Sequence, residues 1–439
     1  MVRNLFSDLA EFALEYAQQK GAQQVSVKLS RVDFIELRRR ARKVEVLQSS
    51  TSQSIALSLF VDDRYSNNTT SFLQKDPLEK FIDESLCMTR LLSPDPCRAL
   101  ADPDLYGPTV GVELDLHDRG YEALTMDQRQ AVLKEVEAAA YQVDPAIVSV
   151  AAEMSTQESE YLQIHSNGFR GERRSSSFSV GSEVTVLDGD RRPEDSWWVS
   201  VRHLEDLPKL EQIGQEAARR AVSRIGACKK ASDRMTLVLE NREATRMIGS
   251  LLEPLRGAAL QQRRSCFEGM LKKAVGSTLL NLRDEPLLKR GLGSRTFDSD
   301  GLAAKPLNLM DSGVLENFLV DVYYARKLGV DPSTGSTSNL VLEPGSRSLR
   351  DLISGIEKGI LVTSFLGGNS NPATGDFSFG ISGLSIKGGN LERPVNEMNI
   401  ADNHCNFWQK LIAVADDPFL FSSWRIPSLV FADVQFSGN

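Results

Sequence analysis

The stretch Asn371-Pro372-Ala373-Thr374-Gly375-Asp376-Phe377-Ser378-Phe379-Gly380 constrains the fold more tightly than any other part of this 439-residue chain. A proline ring fixes its own backbone and biases the preceding residue toward extended geometry, so Asn371-Pro372 sets a turn. Thr374-Gly375-Asp376 supplies a second bend, where glycine enters left-handed space without a steric cost. Phe377, Phe379 and Ile381 then alternate with Ser378, Gly380 and Ser382, the period of a strand with one buried face. The residues predict a tight loop feeding a glycine-flanked strand.

Length sets the scale around that element. A chain this long exceeds a typical single core, so two or three domains are expected. Its 51 basic and 59 acidic residues leave a net charge of −8, which argues against a general nucleic-acid surface. The one basic run, Arg38-Arg39-Arg40-Ala41-Arg42-Lys43, reads as a solvated strand end and turn. No window approaches the ~18 apolar residues of a membrane helix. The N-terminus turns acidic and amphipathic, unlike a secretory signal. Cys87, Cys97, Cys228, Cys266 and Cys405 are scattered and odd in number, giving neither a disulfide framework nor a CxxC pair. A reducing cytoplasm fits this usage.

Helical spacing of Leu5, Leu9, Phe12 and Tyr16 predicts a helix over 4–20, stopped by Gly21. Strands are expected around Val25–Leu29, Val44–Val46 and Ile55–Val61, with Asp62-Asp63-Arg64 as a turn before Tyr65. Asp76-Pro77-Leu78-Glu79 reads as a helix start, with Asp76 as cap and Pro77 first in the helix. The proline-rich stretch Ser93 to Pro108 is expected to be a connector. Thr125 and Gln128 form a capping box for the next helix. Strands follow at 147–154, 161–165, 178–187 and 197–203, with a hairpin turn at Asn167-Gly168. A helix near 209–226 closes the first region. Met235–Leu239 opens a second body, a helix spans about 242–260, and the remainder is glycine-rich and strand-like. The domain expectation is an N-terminal region over 1–228, with a possible subdivision near 93–120, and a C-terminal domain over 229–439. The fold class is α+β: an N-terminal α/β-layer region followed by a β-rich C-terminal domain.

The ten residues from Asn371 to Gly380 closely resemble a signature of the TldD/PmbA (TldD/TldE) family. Further segments resemble that family in the same order: Ser166-Asn167-Gly168-Phe169, Phe297-Asp298-Ser299-Asp300-Gly301, Asp311-Ser312-Gly313-Val314-Leu315, Ser338-Asn339-Leu340 with Glu343-Pro344-Gly345, Pro394-Val395 and Pro427-Ser428-Leu429. The resemblance spans nearly the whole chain and is densest after residue 290. It implies a fold typical of TldD/PmbA proteins. It also implies that Asn371, Pro372, Thr374, Gly375, Asp376, Phe377, Ser378, Phe379 and Gly380 serve a structural or peptide-facing role.

Active members of that family carry HExxxH on the helix that begins the second domain. Two histidines a little over one turn apart can share one zinc, and the glutamate can act as general base on its bound water. The corresponding helix here reads Met247-Ile248-Gly249-Ser250-Leu251-Leu252-Glu253-Pro254-Leu255-Arg256-Gly257. Ser250 and Leu255 lie nearest the histidine positions and Leu251 nearest the glutamate. No histidine occurs between His203 and His404, and Pro254 is expected to kink or end the helix. The expectation is no catalytic and no metal-binding residue in this chain.

Other chemistries are weakly supported. His404-Cys405 places two soft ligands side by side, but adjacent side chains diverge, so a satisfied polar pair at an element end is expected. His117, His165 and His203 are isolated, which suits surface or hydrogen-bonded roles. There is no GxSxG, and Gly291-Leu292-Gly293-Ser294 lacks the lysine of a P-loop.

The resemblance is to the PmbA/TldE branch, which implies a non-catalytic subunit of a cytosolic metallopeptidase acting on unfolded peptides. Zinc is then expected in a TldD-like partner and no cofactor in this chain. The roles implied are proteolysis, peptide maturation or antitoxin turnover. A homodimeric peptide-binding protein or cryptic hydrolase is the alternative. An interaction protein that modulates DNA gyrase is a third. No direct nucleic acid and no membrane contact is expected.

Overall fold

The computed structural model describes residues 2–107 and 112–438. Pro108 of the expected connector and the side chain of Leu5 lie outside the described residues.

The first half is built twice on one plan. Helix α1 (Val2–Gln19) precedes the meander β1 (Gln24–Arg40), β2 (Lys43–Val61) and β3 (Arg64–Thr70), and α2 (Lys75–Thr89) follows. Helix α3 (Met126–Tyr141) likewise precedes β4 (Ile147–His165), β5 (Arg170–Val186) and β6 (Glu194–Val201), and α4 (Leu210–Val222) follows. The two meanders join through antiparallel β1 and β4 into one six-stranded sheet, ordered β3-β2-β1-β4-β5-β6. Register explains why all four helices share a face. Val27 pairs with Ile164, Leu29 with Leu162 and Leu37 with Met154, and all six side chains are buried. The first two pairs pack under α1 and α2, and the third under α3.

The turns follow residue chemistry. Ala41 and Arg42 (φ 49° and 66°) and Asp62 and Asp63 (φ 49° and 59°) are left-handed pairs, the geometry that matches strand twist in two-residue hairpins. The basic run ends β1 as expected, with Arg38 and Arg40 on Glu45 and Arg39 on Glu137. The Thr125–Gln128 capping box forms. The α2 start differs from the sequence reading. Gln74 is the cap without a side-chain bond, and Asp76 and Pro77 sit inside the first turn, where amide donors have no intrahelical partner anyway. The strands expected at 147–154 and 161–165 are one continuous strand. Helix α4 is shorter than expected and ends before Gly226, which turns at φ 79°.

The second body begins with β7 (Asp233–Leu239) and α5 (Asn241–Leu252). Pro254 breaks the helix as expected: Glu253–Leu255 tightens to a 3₁₀ turn and α6 (Gly257–Gln261) restarts. A small sheet joins β8 (Leu282–Asp284), β9 (Leu307–Asp311), β10 (Val314–Leu315), β11 (Leu340–Leu342) and β16 (Trp424–Arg425). The larger sheet contains β12 (Lys358–Ser370), β13 (Asp376–Lys387), β14 (Asn390–Asn403), β15 (Leu411–Val414) and β17 (Leu429–Ser437), in the order β14-β13-β12-β7-β17-β15. Asn399 and Ile400 of β14 also pair with Ser437 and Phe436 of β17, which closes β7, β12, β13, β14 and β17 into a ring. The region is β-rich, but not strand-like throughout. Short helices cover Val322–Leu328, Leu349–Ser354 and His404–Phe407, and few residues between 262 and 281 are in regular structure.

The largest core joins the apolar face of α5 (Ala244, Met247, Ile248, Leu251) to Phe377, Phe379, Ile381, Phe407, Trp408 and Phe431. One buried ion cluster ties this body to the first. Arg220 of α4 is 6% exposed and forms a bidentate pair with Glu240 at 2.5 and 2.8 Å, and its Nε reaches Asp195 at 3.4 Å. Burial opposes the Arg220 charge, yet Glu240 and Asp195 hold its pKa above the ordinary value.

Candidate functional site

Helix α5 borders an open groove of about 540 Å³. Arg246, Gly249 and Ser250 form one wall, Ser370 at the end of β12 the second, and Ser422 and Trp424 the third. Glycine at 249 is small enough for the Trp424 ring to approach, since a Cβ there would lie 3.6 Å from it. Arg246 is exposed and lies over the rings of Phe365 and Phe379, at 5.4 and 5.2 Å from their centroids. It has no ion-pair partner among the described residues.

The three residues nearest the zinc-motif positions do not come together. Ser250 faces the groove, and its hydroxyl donates back to Arg246 O at 3.2 Å. Leu251 and Leu255 are fully buried in the core. One hydroxyl turned onto its own helix and two hydrocarbon side chains do not fit zinc, which takes imidazole, thiolate or carboxylate. Among the described residues no group of three or more His, Cys, Asp or Glu side chains is arranged to hold a metal ion.

The signature segment forms a clasp beside the groove. Asn371 N–H donates to Asp376 O and Gly375 N–H to Asn371 O, both at 2.8 Å. The Asn371 side chain accepts from Ala373 N–H at 3.0 Å. Pro372 O accepts from Cys266 N–H, and Gly375 O from His404 N–H. Asn403 donates to Thr374 O and to Asp376, each at 2.8 Å. Gly375 is left-handed at φ 84°, and a Cβ there would sit 2.8 Å from Asn403 Oδ1. The hydrogen bonds from Asn403 and Thr374 hold the Asp376 carboxyl below its ordinary pKa. Phe377 and Phe379 point into the core while Ser378 is exposed. Gly380 follows in β13, which is paired on both sides, to β12 and β14. An added peptide strand therefore has no free edge on the signature itself.

Strand β12 lacks a strand partner on one side along one stretch. Its residues Gly359–Val362 pair with β7, but Ser364–Ser370 pair only with β13. Ser370, at the end of this stretch, lines the groove, and Phe365 N–H within it is taken by Glu243 Oε2 at 3.2 Å. The Ser370 hydroxyl also meets His404 Nε2 at 3.1 Å, a contact between residues remote in sequence. His404 is fully buried, and Trp408 Nε1 donates to its Nδ1 at 3.2 Å. Burial pushes the His404 pKa down to about 4, against a small opposing effect of Asp402. His404 is thus a satisfied polar group, while the neighbouring Cys405 is exposed. His117, His165 and His203 are hydrogen-bonded separately, to Glu158, to Tyr106 and Gln163, and to Asp115.

Three of the other family-like segments form clasps as well. Asn167 donates to Ala101 O and accepts from Tyr106. Asp298 accepts from Asp300 and Leu302 N–H, and burial raises its pKa to about 6. Asn339 ties Gly293, Ser294 and Glu285 together. Sequence reasoning missed Arg246, Ser370 and Trp424. The only available signal was Trp424 in a polar Ser-Ser-Trp-Arg context.

Two family models match this chain. The PmbA/TldA metallopeptidase central domain covers residues 120–225, and the PmbA/TldA metallopeptidase C-terminal domain covers residues 232–438. The chain belongs to the PmbA/TldD metallopeptidase family. Among relatives of this PmbA/TldD chain, a Haemophilus influenzae protein named metalloprotease PmbA homolog is 26% identical over 98% of this chain and 95% of its own. Metalloprotease PmbA of Escherichia coli O157:H7 is 25% identical over 100% of this chain and 97% of its own. A Bacteroides thetaiotaomicron protein named as a modulator of DNA gyrase superposes with a TM-score of 0.96 at 38% identity, over 99% of both chains. TldE from Thermococcus kodakarensis shares the fold, with a TM-score of 0.83 at 19% identity over 99% of this chain and 100% of its own. Among the described residues of this PmbA/TldD member no helix is long and apolar enough to cross a membrane.

Proposed function

We propose that this chain is the non-catalytic, PmbA/TldE-like subunit of a cytosolic metallopeptidase whose zinc is held by a TldD-like partner. The observation that carries the reading is the chemistry of α5 and the turn after it: the positions nearest the zinc motif are a self-bonded serine and two core leucines. The subunit completes a chamber with its partner and holds unfolded peptide in the groove along α5. The unpaired stretch of β12 supplies the means, because strand addition uses backbone hydrogen bonds and tolerates varied side chains. Arg246, on its aromatic platform, offers a positive end to a peptide carboxylate.

A cryptic serine hydrolase is the weaker reading despite the Ser370–His404 contact. Trp408 donates to Nδ1, so the proton of neutral His404 is on Nε2 and points at Ser370. A histidine that donates to serine cannot take the serine proton.

The test is to mix the purified chain with an HExxxH-bearing paralogue from the same genome and follow complex formation by native mass spectrometry. Cleavage of an unfolded peptide is measured in parallel. A stable one-to-one complex that cleaves, with this chain silent alone, is the expected result. A chain that stays apart from every such paralogue and binds no peptide would overturn the reading.

A further inference from the structure

A second cleft, of about 440 Å³, is built from residues that the proposed role does not use. Three segments converge on it. One is the chain around 112–119, held to β5 by Ser176 N–H on Leu116 O at 2.9 Å and to the C-terminal body by Arg290 N–H on Leu114 O at 2.8 Å. The second is the start of β5. The third is the loop Arg295–Phe297, fixed on the sheet because Gly171 leaves room for the Phe297 ring.

Arginines outnumber carboxylates on the lining of the cleft, and Arg174 among them is already paired with Glu158 at 2.6 Å. Arg119, Arg173 and Arg295 line the cleft, and Arg202 lies close enough behind Arg173 to feel its charge. None of the four is within ion-pair distance of a carboxylate among the described residues. The four residues 108–111, next in the chain to this wall, are Pro-Thr-Val-Gly and carry no carboxylate. Arg202 spends its donors on the carbonyls of Ser176, Gly291 and Leu292. Arg295 bonds only hydroxyls and a carbonyl of Thr334 and Ser336, and its Nε is buried without a partner. The Arg173 side chain makes no hydrogen bond among the described residues and lies 5.4 Å from the centroid of the Tyr161 ring. Glu113, Asp115 and Glu172 also line the cleft; Asp115 is engaged by Arg290 at 2.7 Å and Glu172 by Arg170 at 3.0 Å, while Glu113 has no ion-pair partner among the described residues. Burial lowers the pKa of Arg173, with Arg295 adding to the effect, and pushes Arg202 down to about 10, with Arg173 adding.

A protein with a net charge of −8 has carboxylates to spare, yet Arg119, Arg173 and Arg295 are left without an ion-pair partner among the described residues. Guanidinium groups favour bidentate contact with planar or tetrahedral oxyanions. We infer that the cleft lined by Arg119, Arg173 and Arg295 is an oxyanion-binding site, taking a phosphate group or the carboxylates of an acidic peptide segment. Bound anion would engage the free donors of Arg173 and lie against the Arg295 guanidinium, bridging the first domain to the C-terminal body. The inference does not depend on the accessory-subunit reading, because it concerns this chain alone and needs neither partner nor cleavage.

Calorimetric titration of the full chain with inorganic phosphate, and separately with a short glutamate-rich peptide, tests it. Saturable binding of at least one probe, weakened by added salt, is expected. Phosphate alone would identify a small oxyanion as the ligand, and the peptide alone an acidic segment. R173Q should cost about tenfold or more in affinity, the scale of a lost charge-assisted hydrogen bond. It should leave the melting temperature unchanged, since Arg173 supports no hydrogen bond of the fold. R119Q, at the exposed rim, should weaken binding less and reduce its salt dependence. Absence of saturable binding of both probes to the unmodified protein would overturn the inference, as would equal affinity of R173Q and the unmodified protein.

Discussion

Trp408 donates its indole N–H to His404 Nδ1 at 3.2 Å, and this contact decides what His404 can do toward Ser370. The imidazole is left with its proton on Nε2, so Ser370 accepts and is not activated. Ser370→Ala should therefore change peptide cleavage by the assembled enzyme by no more than a few fold. Ser370 should also resist serine-directed fluorophosphonate labelling. ¹⁵N NMR of the imidazole should report the Nε2–H tautomer. Stoichiometric labelling of Ser370 would contradict this.

His404 also makes a pH prediction. Its folded pKa is lowered from 6.5 to about 4, so the unfolded chain takes the proton more readily. Stability linked to His404 is complete above its unfolded pKa and is lost as pH falls through the window from 6.5 to about 4. The lost amount is of order 3 kcal/mol. His404→Gln should flatten urea-unfolding stability across that window relative to the unmodified chain. Parallel pH profiles for the two proteins would exclude the assignment.

Gly375→Ala combines a left-handed backbone with a contact of 2.8 Å to Asn403. It should destabilise by roughly 1–3 kcal/mol. Asn403→Ala removes the bonds to Thr374 and Asp376 and the cap of Cys405 N–H, and should loosen the same turn. Denaturation midpoints, with hydrogen exchange at the backbone N–H groups of Gly375 and His404, would measure both.

Arg220 and Glu240 are a buried pair that crosses from α4 to the second body. Removing one partner strands the other charge, at a cost of about 3–5 kcal/mol. Glu240→Gln or Arg220→Met should therefore each destabilise strongly, and the double variant should lose less than the sum. Additive losses in the cycle would show that the pair is not coupled.

Leu251→Glu would place a carboxylate at a fully buried site. Loss of more than about 4 kcal/mol is expected from an unpaired buried charge and lost packing. The combined change Ser250→His, Leu251→Glu and Leu255→His should not create zinc-dependent activity, because two of the three new side chains point into the core. Zinc-dependent turnover by that variant, measured beside its thermal stability, would contradict this placement.

Local chemistry was readable where one element carried its own signal. The alternation of Phe377, Phe379 and Ile381, the left-handed Gly375, the Thr125–Gln128 box and the break at Pro254 each depend on neighbours a few residues apart. The seam between β1 and β4 was not readable, because Ser26 meets His165 across 139 positions and leaves no periodicity in either segment. The doubling of the helix–meander–helix plan was missed for the same reason. Ring closure depends on two pairs between β14 and β17, and the groove on a serine, an arginine and a tryptophan from three distant segments. The family signature was visible, but its role as a clasp emerged only with Asn403, Cys266 and His404 around it.

The most direct test of the central claim is to mix this chain with the proposed HExxxH-bearing partner after changing the glutamate of that motif to glutamine. The account predicts a complex of normal stoichiometry that does not cleave unfolded peptide, with zinc bound only to the partner. Chelator-sensitive cleavage persisting in that complex, with zinc bound to this chain, would contradict it.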